Sequence, residues 1–196
     1  MRFSDVAILA KDMHQSMGTC IPFSPVNILG DSGCIESEIY RYYSNHSKPI
    51  EIALYQTQPI DDEMNGLYTR YELSDKTLFD IDISASLNTC WERLVATKEL
   101  MHAILDKNSS AFTTDIVSLI EMLINQPPQI NNDSEIHSEY VALYLAVELL
   151  IPNIYNDYVI DLSLSSYQIA DTLKVPEKMI DLVRAEWYQK LRKESY

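Results

Sequence analysis

The stretch Lys98-Glu99-Leu100-Met101-His102 gathers an amine, a carboxylate and an imidazole within little more than one helical turn. Residues four apart share a helical face, so a helix here turns Lys98 and His102 the same way, with Glu99 beside them. The H-E-x-x-H spacing uses this geometry to hold zinc: two imidazoles bind the ion and the Glu serves as general base. In this chain Glu99 and His102 keep their places, and Lys98 stands where the first His would be. A protonated lysine offers a metal no lone pair, and its reference pKa is about 10.4. An ammonium at that point can replace part of the charge a metal would bring. The chemistry expected of this face is neutralisation of nearby carboxylates, Glu99 or others, in a metal-free cleft. The plainer alternative makes Lys98 a solvated helix residue and His102 a half-buried core side chain bonded to a backbone carbonyl.

The elements that must position this turn follow from periodicity. Residues 3–17 place Val6, Ala7, Ala10, Met13 and Met17 on one helical face, and Pro22 and Pro25 end the pattern. Residues 27–34 add a short turn or helix. From Ile35 to Ser84 the expected period is two, with strands at Ile50-Ile52-Leu54, Leu67-Thr69-Tyr71-Leu73 and Phe79-Ile81-Ile83. Tyr40, Tyr42 and Tyr43 fall in this region and read as strand or edge packing. Ser74-Asp75-Lys76 suits a hairpin turn. The period then returns to 3.6. A helix spans Thr89 to Asp106, and Asp115 with the preceding threonines starts another. Pro127 to Asp133 forms a linker. Ser134 to Ile151 is apolar nearly all round, which marks a buried helix, and Pro152 stops it. Asn153 to Leu164 reads as irregular. Ser165 and Gln168 form a capping box, and Pro176 opens a last helix with Ile180, Val183, Trp187 and Leu191 as its stripe.

The expected class is therefore α+β. A small antiparallel sheet of three or four strands packs on the Lys98 helix, and the C-terminal part is mostly helical. Residues 1–160 form the main domain, and residues 161–196 a small helical piece packed on it. Fifteen Lys and Arg against 29 Asp and Glu give a net charge of −14. Such a surface repels phosphate backbones, so nucleic acid is an unfavoured partner and a basic protein a favoured one. The cysteines Cys20, Cys34 and Cys90 have no metal-ligand spacing and read as free thiols of a reducing cytoplasm. No signal-peptide architecture is present, and no apolar run nears the ~20 residues of a membrane span.

Four segments, taken in order, resemble the ImmA/IrrE family of zinc metallopeptidases. Gly66-Leu67-Tyr68 with Phe79-Asp80-Ile81-Asp82-Ile83 is similar to the family's hairpin before the active-site helix. Arg93 to Leu105 is similar to its H-E-x-x-H segment. Ala142 to Pro152 is similar to its helix ending in Leu-Leu-x-Pro, and Ile169 to Pro176 to its short C-terminal helical piece. The resemblance implies a zincin-like fold in bacteria or their phages, where active members relieve a helix-turn-helix repressor during transcription regulation. It also implies a ligand set: both motif His and a Glu about 11 residues before the later Pro. Two of these three are replaced here, by Lys98 and Val141. Glu99 is then a vestigial general base and His102 a lone metal ligand. His137 and Glu139 are substitute ligands, although this alignment sets them too early on the helix or facing away.

The expected function is that of a catalytically silent relative, a pseudoenzyme that binds a protein partner such as a basic helix-turn-helix regulator. No cofactor is expected; zinc is the one candidate. The first alternative is an active zinc metalloprotease using Glu99, His102 and either His137 or Glu139. The second is a DNA-binding regulator through residues 165–193, where Lys174, Lys178, Arg184, Lys190, Arg192 and Lys193 alternate with acidic residues.

Overall fold

A computed structural model describes residues 3–17, 28–58, 64–105, 111–113, 115–125 and 134–195. The chain runs α1 (Phe3–Met17), α2 (Ile28–Tyr43), β1 (Ile50–Thr57), β2 (Gly66–Glu72), β3 (Thr77–Ser84), α3 (Thr89–Leu105), β4 (Ala111–Thr113), α4 (Ile116–Asn125) and α5 (Ser134–Leu150). A 3-10 turn (Asn153–Tyr155) then leads to α6 (Asn156–Ile160), α7 (Ser166–Leu173), α8 (Glu177–Arg184) and α9 (Glu186–Ser195). The class is α+β, as the change of period requires. The linker expected at residues 127–133 lies outside the described residues.

The sheet differs from the all-antiparallel expectation. Its order is β1-β3-β2-β4. β2 pairs antiparallel with both β3 and β4, whereas β1 lies parallel to β3, with Ile52 opposite Phe79. The tight hairpin between β2 and β3, closed by Leu73 N–H to the Lys76 carbonyl at 2.9 Å, inserts β3 between its two predecessors. Alternation divides a strand into two faces but is silent on its neighbours. For β1 and β3 the buried face is as expected: Phe79, Ile81 and Ile83 are fully buried, and Ile50, Ile52 and Leu54 pack beside them. In β2 it is the opposite of the expected Leu67-Thr69-Tyr71-Leu73 row: Tyr68 is fully buried, while Tyr71 and Leu73 are exposed. Both rows of β2 carry apolar side chains, so packing against α3 decides which one turns inward.

Three further expectations are corrected. Residues 28–43 form a helix instead of continuing the period of two. Ile35 and Ile39 are its buried pair, and their spacing of four is the helical signal. Its exposed tyrosines, Tyr40 and Tyr42, look like strand formers but sit on the solvent side. Asn153 to Ile160 is helical, not irregular. The last helix is two: α8 stops at Ala185, which turns to extended backbone, and α9 restarts at Glu186. Pro176 takes the cap position of α8, just outside the helix.

Several ends are held as their side chains predict. Asp115 Oδ1 accepts from Val117 N–H and Ser118 N–H, both at 3.0 Å, and starts α4. The Ser165–Gln168 capping box is complete in both directions. α7 closes on Lys174 at φ 53°, a left-handed conformation that favours glycine. The buried Arg93 of α3 supports it by donating to the carbonyls of Lys174 (2.7 Å) and Leu173 (3.3 Å). The core lies between the inner face of the sheet, α3 and α5, with α1 against α5 and α2 against α3.

Candidate functional site

Helix α3 is buried on every side from Arg93 to Ile104. A helix so enclosed is ordinarily apolar, yet this one carries Arg93, Thr97, Lys98, Glu99 and His102. Lys98, Glu99 and His102 are all fully buried, which removes the reading of Lys98 as a solvated residue. Buried charge persists only where it is paired and hydrogen-bonded.

The pairing is complete at the ammonium. Lys98 Nζ lies 2.6 Å from Glu139 Oε2, 3.2 Å from Glu99 Oε1 and 3.2 Å from His102 Nε2. A lysine ammonium has three N–H donors, and these three acceptors among the described residues can take them. His102 Nε2 is also 3.1 Å from Glu139 Oε1. That nitrogen serves one partner at a time. Unprotonated, it accepts from Lys98; protonated, it donates to Glu139. The ring of Tyr68 from β2 stacks on His102 with centroids 5.7 Å apart and fixes the plane of the imidazole.

Glu139 is the contribution of α5. Burial would raise its pKa, but the hydrogen bond with His102 and the charge of Lys98 outweigh that and hold it below the ordinary carboxylate value. Expected to face away, Glu139 instead reaches both Lys98 and His102. Val141, placed by alignment at the third ligand position, is 3% exposed in the apolar core. The offset arises because the face that α5 turns toward α3 is set by packing of the two helices, not by the distance to Pro152. The side chain of His137 lies outside the described residues. Glu99 donates nothing in its ionised form and accepts from Lys98 at the inner end of the cluster.

Gly66, at the start of β2, closes the site from the sheet. A Cβ there would come within 2.6 Å of Val95 Cγ1 and 2.9 Å of Glu99 Oε1. The strand therefore approaches α3 at backbone distance, and Glu99 fills the space a side chain would take. The sequence places Gly66 in the hairpin without showing this contact; a glycine at a strand start is the signal it offers.

Zinc ligands sit about 2.0–2.2 Å from the ion and leave one position open. Here an ammonium occupies the space between the would-be ligands, and its own side chain fills the first ligand position. The residues present do not fit a zinc centre. Among the described residues, no group of three or more His, Cys, Asp or Glu is arranged to hold a metal. Nor is any described helix long and apolar enough to cross a membrane. Compared with family models, curated proteins and solved structures, the chain matches none.

The C-terminal basic residues are mostly engaged. Lys174 pairs with Asp171, Lys178 with Glu121 of α4, and Arg192 with Glu148 of α5. Arg184 donates to the carbonyls of Val159, Asp161 and Leu164. The exposed face of α8 presents Glu177 and Asp181.

Proposed function

We propose that this chain is a metal-free relative of the ImmA/IrrE metallopeptidases that acts by binding a protein, with Lys98 in place of the ion. The observation that carries the reading is the ammonium held by Glu139, Glu99 and His102 at 2.6–3.2 Å. These are the residue types that would bind or serve a zinc ion, now satisfied by an internal cation. With no open coordination position there is no bound water to activate. What remains is an acidic molecule suited to a basic protein partner, such as a helix-turn-helix regulator in bacterial or phage transcription control.

The peptidase reading is second, and Glu139 favours it by standing where a third ligand is needed. A DNA-reading role for residues 165–193 is weakened by the engagement of their basic residues and the acidic outer face of α8.

The test is zinc content by elemental mass spectrometry after purification in zinc-containing buffer, for the parent protein and for Lys98→His. We expect no stoichiometric zinc in the parent. The variant, which regains H-E-x-x-H beside Glu139, is expected to approach one zinc per chain and to lose it when His102→Ala is added. Stoichiometric zinc in the parent, lost on His102→Ala, would instead establish the peptidase reading.

A further inference from the structure

The sheet buries one face under α2 and α3, and the described elements leave the other open. On that outer face the register sets three rows. Glu51 and Tyr71 flank Leu78; Ala53 and Thr69 flank Asp80; Tyr55 and Leu67 flank Asp82. Tyr55 is 54% and Tyr71 46% exposed, at opposite corners. Glu51 is neutralised by Lys76. Asp80 and Asp82 have no cation from any described residue, and buried Asp80 Oδ1 accepts no hydrogen bond there. Two carboxylates at i and i+2 of one strand stand about 7 Å apart on the same face. Burial, then the neighbouring charge of Asp80, raises the pKa of Asp82. For stability alone, a central strand would carry polar uncharged or β-branched residues here.

We propose that this outer face is the docking surface for a basic amphipathic helix of a protein partner, whose Arg or Lys side chains reach Asp80 and Asp82 between Tyr55 and Tyr71. Charge complementarity selects the occupant. An unpaired acidic pair ringed by Tyr55, Leu67, Leu78 and Tyr71 takes a cation with an aliphatic stem, and the tyrosine faces add cation–π attraction. The dimensions agree: three strands about 4.8 Å apart span the width of one helix of about 10 Å. An added strand is less suited, because the open edge of β1 is already met by Tyr40, whose hydroxyl accepts from Ile52 N–H at 3.3 Å. The inference deepens the protein-binding reading above by naming its surface, but it does not depend on whether the Lys98 site holds metal.

The experiment uses fluorescence anisotropy with a dye-labelled synthetic helix of about 18 residues, Leu on one face and Arg flanking it, beside a counterpart with Glu for every Arg. Saturable binding of the Arg helix alone is expected, weakened at least about tenfold by Asp80→Asn/Asp82→Asn. The pair Glu177→Gln/Asp181→Asn on α8 is expected to leave binding unchanged. The Asp80/Asp82 variant is expected to melt no lower than the parent, so its lost binding is not lost folding. Absence of binding, or equal weakening by both pairs, overturns the proposal. So does sedimentation showing a dimer that Tyr71→Lys dissociates, because the face would then belong to a second copy. The zinc measurement above separates failure here from failure of the metal-free reading.

Discussion

Lys98 is the residue on which the site turns. Taking its charge away leaves Glu99 and Glu139 facing each other without a cation, and breaking a buried pair from one side costs about 3–5 kcal/mol. Lys98→Met is therefore expected to lower unfolding free energy by that order in urea titrations. Adding Glu139→Gln should recover part of the loss, since the two share one interaction. Glu139 also gives the site a pH dependence. Its carboxyl is held below the ordinary value of 4.5 by His102 and Lys98, against burial. A depressed carboxylate stabilises the fold above its unfolded pKa and loses that contribution as pH falls through its folded pKa. The stability gap between the parent and Glu139→Gln should thus be full at neutral pH and close as pH falls from the ordinary value of 4.5 through the depressed folded pKa. A gap that is constant across this range would mean that Glu139 is not held ionised by the cluster.

At the scale of elements, β2 and α3 are joined by the absence of a side chain. Gly66→Ala would drive a methyl into Val95 and the Glu99 carboxylate, at 2.6 and 2.9 Å before relaxation. Overpacking of this kind costs about 1–3 kcal/mol, and here the displaced group is also a partner of Lys98. A thermal shift downward is expected, and Gly66→Ala should cost less when introduced into a Glu99→Ala background, where one of the two close contacts is gone. The strand pattern of β3 and the caps at Asp115 and Ser165 were readable from the chain, because one apolar row and local backbone groups decide them; in β2 both rows are partly apolar, and the buried one is that of Tyr68. The helix at 28–43 was less readable. Its apolar residues are few, and tyrosines on its outer side imitate a strand.

For the whole molecule, the question is how the C-terminal helices are held to the rest. Arg192 of α9 is 1% exposed and donates to Glu148 Oε1 of α5 at 2.8 Å and to the Ile151 carbonyl at 2.6 Å. Tyr188 donates to the same carboxylate oxygen at 2.8 Å. α8 packs on α4, and α9 on α1. Arg192→Met leaves Glu148 buried without its cation and is expected to cost about 3–5 kcal/mol. Because these contacts reach α1, α4 and α5, loss of stability should appear as one cooperative transition seen equally by far-UV circular dichroism and Trp fluorescence. Two separated transitions would instead mark residues 161–196 as a unit that unfolds alone.

The sequence by itself determined the α+β class, the buried faces of β1 and β3, the enclosed helix α5, and the common face of Lys98 and His102 with Glu99 beside it. Each follows from spacing along the chain, which physics converts directly into a face or a cap. Tertiary structure alone decided that Glu139 completes the cluster in place of Val141, that β1 runs parallel to β3, and that Gly66 makes room for Glu99. Those facts depend on how α5 is rotated against α3 and on which strand inserts beside which. Rotation and insertion are settled by packing between segments distant in sequence, where no local period carries the information.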